Sequence, residues 1–224
     1  MENLTLVIGN CNYSSWSLRP WLFLQQHQIP FHEQRVTLSE STTLEQLSSF
    51  FSGDKVPILI TGEQQIWDSL AILEYLAESF PECAGWPADA KARAVARSVS
   101  AEMHSSFFNL RGGMPMNCRK RFPGFPLTPE IQADVDRICE IWRYCREQFG
   151  QNGPWLFGDF SIADCMYAPV VIRFVGYDVA LDPVSQAYAD HLYNTPSLQA
   201  WINCGKAEIE VIEEEEVDWN SEPV

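Results

Sequence analysis

The stretch NYSSWSLRP, residues 12–20, crowds Ser14, Ser15 and Ser17 with Tyr13 and Trp16 against the apolar run WLFLQQHQ. Hydroxyl donors beside a helix N-terminus face the positive end of its dipole, a place suited to an anion or a thiolate. Capping competes for the same groups. With Ser17 as N-cap, a helix starts near Leu18, Pro20 takes the third helical position, and Ser14 and Ser15 lie just outside, unused by the cap.

Two further stretches carry polar groups to places where a ligand could use them. KVPIL sets Pro57 at the mouth of a strand, the position of an edge or a cis turn. A cis bond there would turn the Val56 N–H and C=O outward, able to pair with a ligand amide in strand fashion. WDSLAILEYL puts Asp68 and Ser69 at a helix entrance. They read either as a capping pair or as a site where Ser69 and the helix N-terminus bind a carboxylate while Asp68 pairs with an ammonium. Lys55 could balance a carboxylate or simply be solvated.

The elements that must position these groups follow from periodicity and punctuation. LTLVIG is a β-rich run, a helix spans 18–28, and FHEQRVTL alternates as a second strand. A loosely helical stretch lies near 42–51. PILI and QQIW flank TGE as a hairpin, and SLAILEYLAESF has helical spacing. PECAGWPADA, with two prolines and a glycine, reads as a linker. Beyond it no strand is predicted. Helices are expected at 87–111, 129–149, 161–175 and 185–206. The fold class expected is an α/β domain over 1–80, an all-helical domain over 88–208 and an acidic tail over 209–224. In SIAD, Ser161 and Asp164 have the spacing of a reciprocal N-cap and read as structural.

Composition narrows the function. The 224 residues are 46% apolar, with eight tryptophans, enough for a packed core. Fifteen basic against thirty acidic residues make a net charge of −15, which disfavours nucleic acid and anionic membranes as partners. Part of that charge sits in EIEVIEEEEVDWNSEPV, read as a frayed, solvated C-terminus. No signal or membrane-spanning pattern is present, so a cytoplasmic location is expected. The seven cysteines are scattered without a CxxC, and His27, His32, His104 and His191 lack ligand spacing. Neither a disulfide framework nor a metal site is expected. Cys11 reads as a small apolar residue ending a buried strand.

YSSWSLRPWL, GDKVPIL, IWDSLAILEYLAE and WLFGDFSIADCMYAPV, in that order, resemble the bacterial-type glutathione S-transferases. The serine motif is similar to the SSC motif of the zeta class, with Trp16 where that class has cysteine. The resemblance covers essentially the whole chain before the tail. It implies a thioredoxin-like N-terminal domain, an all-helical second domain, a homodimer, and glutathione as co-substrate. A thiolate needs stabilisation rather than a strong base, and a serine hydroxyl donating to sulfur supplies it. The zeta-like register makes Ser14 the principal hydroxyl with Ser15 beside it, whereas theta-type spacing to Arg19 points to Ser15. Tyr13 is a further candidate. Lys55, Val56, Pro57, Asp68 and Ser69 would hold glutathione.

A small electrophile would then lie between the domains, against Trp16 and the first long helix of the second domain. Met103, Phe107 and Arg111 recur there at four-residue spacing, hence on one helical face, with His104 nearby. A Met and a Phe at the spacing of Met103 and Phe107 are more often core than ligand contacts, whereas an arginine in a core needs a partner. Conjugation, glutathione-dependent isomerisation of a maleylacetoacetate-like acid, and a non-catalytic binding module of the same fold all remain open.

Overall fold

The computed structural model describes residues 3–38 and 41–224. β1 (Leu4–Ile8) buries four of its five side chains and is an inner strand of a four-stranded sheet of order β2-β1-β3-β4. It runs parallel to β2 (His32–Arg35) and antiparallel to β3 (Ile58–Thr61), with Leu6 opposite both Glu33 and Leu59. β4 (Gln64–Trp67) returns along β3 through Gly62, whose φ of +56° suits a residue without a Cβ. The polar strand β2 forms one exposed edge. It is shorter than the expected alternating run.

The crossover from β1 to β2 is α1 (Ser15–Gln26), in which every residue from Ser17 to Leu24 is buried. Buried on all sides, with Ser17 and Arg19 included, this helix must be enclosed on all sides. α1 packs on α3 (Ser69–Ser79) within its own domain and on two helices of the second, α7 (Ile162–Gly176) and α9 (Pro196–Ala207). The short α2 (Thr43–Leu47) occupies the loosely helical stretch. This is the thioredoxin-like arrangement that the resemblance implies, followed by a helical half in which one short ribbon, Lys120–Arg121 paired with Glu222–Pro223, departs from the expectation of no strand beyond the linker.

In that half the expected helix over 87–111 is two, α4 (Ala90–Ser105) and α5 (Phe108–Gly113), separated at Phe107, whose φ is +60°. α6 (Pro129–Phe149) runs as expected. The segment 185–206 also divides, into α8 (Pro183–Tyr193) and α9, where Thr195 caps a new helix with Pro196 in its first position. α7 is buried along almost its whole length and forms the centre of the bundle, with Asp164 accepting from the Ser161 N–H at its start. Among the described residues no helix is long and apolar enough to cross a membrane.

Two further expectations are overturned. The acidic tail is docked rather than frayed: β6 (Glu222–Pro223) pairs with β5 (Lys120–Arg121), the indole N–H of Trp219 donates to the Pro123 carbonyl, and Glu216 pairs with Lys120. Basic residues of the 119–121 segment supply the countercharge that composition alone could not place. Cys11 is not a lone apolar residue. It forms a disulfide with Cys204, across 193 residues and from one domain to the other, at a Cα–Cα separation of 5.9 Å.

Candidate active site

The turn after β1 folds back on Asn10, whose carbonyl accepts from the N–H groups of Tyr13 (3.2 Å) and Ser14 (2.8 Å). Ser14, not Ser17, is the N-cap of α1, and the helix starts at Ser15 rather than near Leu18. The reason is tertiary: the Ser17 hydroxyl is taken by the N–H of Gly9 (3.1 Å) and by the Ser14 hydroxyl, which donates to it at 2.7 Å. Pro20 therefore stands in the helix interior, at its sixth position, and withholds one intrahelical hydrogen bond. Ser15 is the first helical residue. Its hydroxyl has no hydrogen-bond partner among the described residues, and it lines a cavity.

Two cavities meet at this helix start. One of about 710 Å³ is lined by Lys55, Val56, Pro57, Trp67, Asp68 and Ser69. The other, about 420 Å³, lies between the domains and is lined by Ser14, Ser15, Phe108, Arg111, Arg173 and Ile212. Trp16, Leu38 and Val56 belong to both walls. The Val56–Pro57 bond is cis. Asp68 holds the left-handed φ of +73° and caps α3, accepting from the N–H groups of Leu70 (2.9 Å) and Ala71 (3.3 Å). Its second oxygen lies 3.2 Å from His104 Nε2, so α4 reaches across to the first domain at this point. The capping and binding readings of Asp68 are thus compatible, because the cap uses one oxygen only.

Two guanidinium groups lie over the Trp16 ring, Arg19 at 4.2 Å and Arg111 at 4.6 Å from its centroid, with His104 edge-on at 5.3 Å. Arg19 is fully buried and donates to the Ser69 hydroxyl at 3.3 Å. Burial lowers Arg19 to about 9, with the charges of Arg111 and Arg173 acting in the same direction. Burial likewise lowers Arg173 to about 10. Of these cations Arg173 lines the inter-domain cavity together with Arg111, and the Glu215 carboxylate stands in the same wall. Arg111 also donates to the backbone carbonyls of His104 and Ser106.

Met103 and Phe107 do not belong to this wall. Both are core residues lining neither cavity, because the helix breaks at Phe107 and the four-residue spacing no longer describes one face. Of the expected acceptor residues, Trp16 and Arg111 line the cavity. Tyr13 lines it too, but its hydroxyl donates to Glu216 and accepts from Arg119 (2.7 Å), and burial, followed by Glu216, raises it above its ordinary pKa. Phe108, Arg173, Ile212 and Glu215 escaped sequence reasoning. Arg173 had a signal, an arginine inside an apolar helical run, whereas the tail residues had none. Cys11, Cys204 and Glu208 bring three potential ligand atoms within 4.8 Å of one another, but the sulfurs are joined and the carboxylate accepts from two backbone N–H groups.

Comparison with known proteins agrees with this fold. Residues 13–79 match the family model for the N-terminal domain of glutathione S-transferases, and residues 126–204 match that for the C-terminal domain. The chain is 26% identical over 186 residues to a probable maleylacetoacetate isomerase of Caenorhabditis elegans, covering 82% of this chain and 85% of that one. It is 25% identical over 190 residues to glutathione S-transferase theta-2 of Mus musculus, covering 81% and 72%. Among solved structures, a glutathione transferase homologue from Burkholderia gl BGR1 with bound glutathione superposes with a TM-score of 0.69 at 24% identity, over 92% of this chain and all of that one.

Proposed function

The chain belongs to the glutathione S-transferase family, and from that premise we propose that it activates the thiol of its co-substrate glutathione as a thiolate for attack on a small electrophile. Glutathione occupies the larger cavity, with its γ-glutamyl end at Asp68 and Ser69, its cysteinyl backbone on Val56 and a carboxylate near Lys55. The electrophile enters the inter-domain cavity. The observation that carries this reading is the unpartnered Ser15 hydroxyl at the N-terminus of α1, where the two cavities meet. A hydroxyl donor and a helix dipole aimed at sulfur favour its ionised form without a base. Ser14, the principal hydroxyl of the zeta-like register, is engaged with Ser17, which favours the theta-like register and Ser15. We further propose a homodimer, supported by the exposed aromatic pair Phe51 and Trp67; the Cys11–Cys204 disulfide weighs against the expected cytoplasmic location.

The test is the pH dependence of turnover beside melting temperature. Ser15→Ala should lower kcat about a hundredfold and raise the pKa of bound thiol, with glutathione affinity nearly intact. Ser14→Ala should instead cost about 1 kcal/mol of stability through the lost cap, with a smaller effect on the profile. If Ser14→Ala alone shifts the profile, the sulfur belongs to Ser14. If neither does, the serines are turn formers and thiolate activation by them is excluded.

A second reading has its own observation. Arg111 and Arg173, both facing the inter-domain cavity, suit a carboxylate-bearing acceptor and favour isomerisation of a maleylacetoacetate-like acid. Parallel turnover with aryl halides, peroxides and maleylacetoacetate separates the two. Selective turnover of the acid, lost in Arg111→Gln, would establish the isomerase.

A further inference from the structure

The turn that presents Ser14 and Ser15 is held from outside its own domain. Its two central N–H groups, those of Cys11 and Asn12, point at a single carboxylate, Glu208, at 2.7 and 3.0 Å. Glu208 follows the last helix and begins the acidic tail, and its side chain is 2% exposed. Consecutive N–H groups turned toward one point make a small anion-binding concavity. In this molecule the occupant is the protein's own tail. The charge has a counterpart in Arg35, 3.4 Å away. On the other side of the turn the Asn12 side-chain oxygen accepts from the N–H groups of Cys118 (2.7 Å) and Arg119 (3.1 Å). Arg119 in turn donates to the carbonyls of Glu208 (2.8 Å) and Glu210 (2.9 Å).

We propose that Glu208 is a positioning residue for thiol activation: by receiving the Cys11 and Asn12 N–H groups it fixes the turn whose exit places the Ser15 hydroxyl at the sulfur. The inference rests on the proposed role of the serines. A carboxylate with two oxygens satisfies both donors. A carboxamide has one acceptor oxygen and presents N–H to the other donor, so Glu208→Gln leaves one turn amide unpaired at nearly constant volume. Small displacements of a positioned group cost rate steeply while leaving distant binding contacts in place. Glutathione contacts at Val56, Asp68 and Ser69 lie on other elements, so affinity and activation should separate.

The experiment compares the full-length protein with Glu208→Gln, with Ser15→Ala, and with Glu213→Gln, an exposed carboxylate of the same tail. Readouts are glutathione affinity by calorimetry, thiolate formation by ultraviolet absorbance against pH, kcat, and melting temperature. Glu208→Gln should lower kcat about tenfold or more and move thiolate formation to higher pH, with glutathione affinity changed less than about threefold. Glu213→Gln should match the parent. Should Glu208→Gln fail to fold, Glu208→Asp, which keeps both oxygens one methylene short, is read in the same way. A lower melting temperature with unchanged kcat and thiolate profile would reduce Glu208 to a structural tether and overturn the proposal. So would loss of affinity in proportion to kcat. If Ser15→Ala shifts thiolate formation while Glu208→Gln does not, positioning by Glu208 fails and serine activation stands. If Ser15→Ala shifts nothing, activation by Ser15 fails, and its positioning by Glu208 fails with it.

Discussion

At the scale of single residues, Asp68 shows how one side chain serves fold and site together. It caps α3 through one oxygen, faces His104 with the other, and holds a φ of +73° that asparagine tolerates better than alanine. Asp68→Asn keeps the cap and the backbone and removes the charge. It should leave melting nearly unchanged and weaken glutathione about tenfold or more, the loss expected for one charge-assisted hydrogen bond to an ammonium. Asp68→Ala should weaken binding as much and also cost about 1 kcal/mol of stability. Calorimetry and thermal melts check both, and equal affinity for Asp68→Asn and parent would remove the ammonium from this site. Asp68, Ser69 and the Val56–Pro57 turn were legible because each motif is local. Which of three serines caps α1 was not. That choice is made by Gly9, eight residues before Ser17, donating across the turn. The contacts of Trp16 with both Arg19 and Arg111 were hidden for the same reason, since Arg111 comes from the other domain.

At the scale of elements, strands and helices with clear periodicity were legible, and interruptions without local punctuation were not. Nothing in SSFFN announces that Phe107 turns left-handed and ends the face expected to carry Met103, Phe107 and Arg111. The Cys11–Cys204 link could not be read from seven scattered cysteines, because pairing depends on α9 reaching the turn after β1. Opening a cross-link that encloses most of the chain should cost about 2–4 kcal/mol. Denaturant unfolding of the parent should therefore weaken on addition of reductant, whereas Cys204→Ser should be weaker already and insensitive to it. The capping box of α7 makes a pH prediction. Burial outweighs the hydrogen bonds from Leu156, Ser161 and Tyr188 and raises Asp164 to about 6. A carboxyl whose folded pKa exceeds its unfolded value binds its proton more tightly when folded. Its contribution is greatest below about pH 4 and is lost as pH rises through about 6. The stability difference between parent and Asp164→Asn, measured by denaturation from pH 4 to pH 7, should shift against the parent across that window. A constant difference would mean that the donors win.

At the scale of the molecule, the two-domain order was legible because composition changes at the proline-marked linker, while the closure of the domains on each other was not. Closure depends on Glu208, Arg119 and the tail meeting the serine turn, a set of contacts spread over about two hundred residues with no shared pattern. Assembly is the next level, and the surface supplies its motive. Phe51 is 81% exposed and touches Trp67, itself 44% exposed, so two large aromatic rings stand together in water on the first domain. Burying them against a second copy about a two-fold axis would remove that apolar surface. The net charge of −15 on each chain opposes the same step. The balance predicts a dimer whose affinity rises with ionic strength, because salt screens the repulsion and leaves apolar burial intact. Sedimentation at micromolar concentration and moderate salt should give a species near twice 25.5 kDa. Phe51→Ser should shift it toward the monomer with the melt of each chain little changed, since the ring makes no core contact to lose. A parent that remains near 25.5 kDa at every salt concentration, or a Phe51→Ser variant that dimerises as well as the parent, would take the aromatic pair out of the interface.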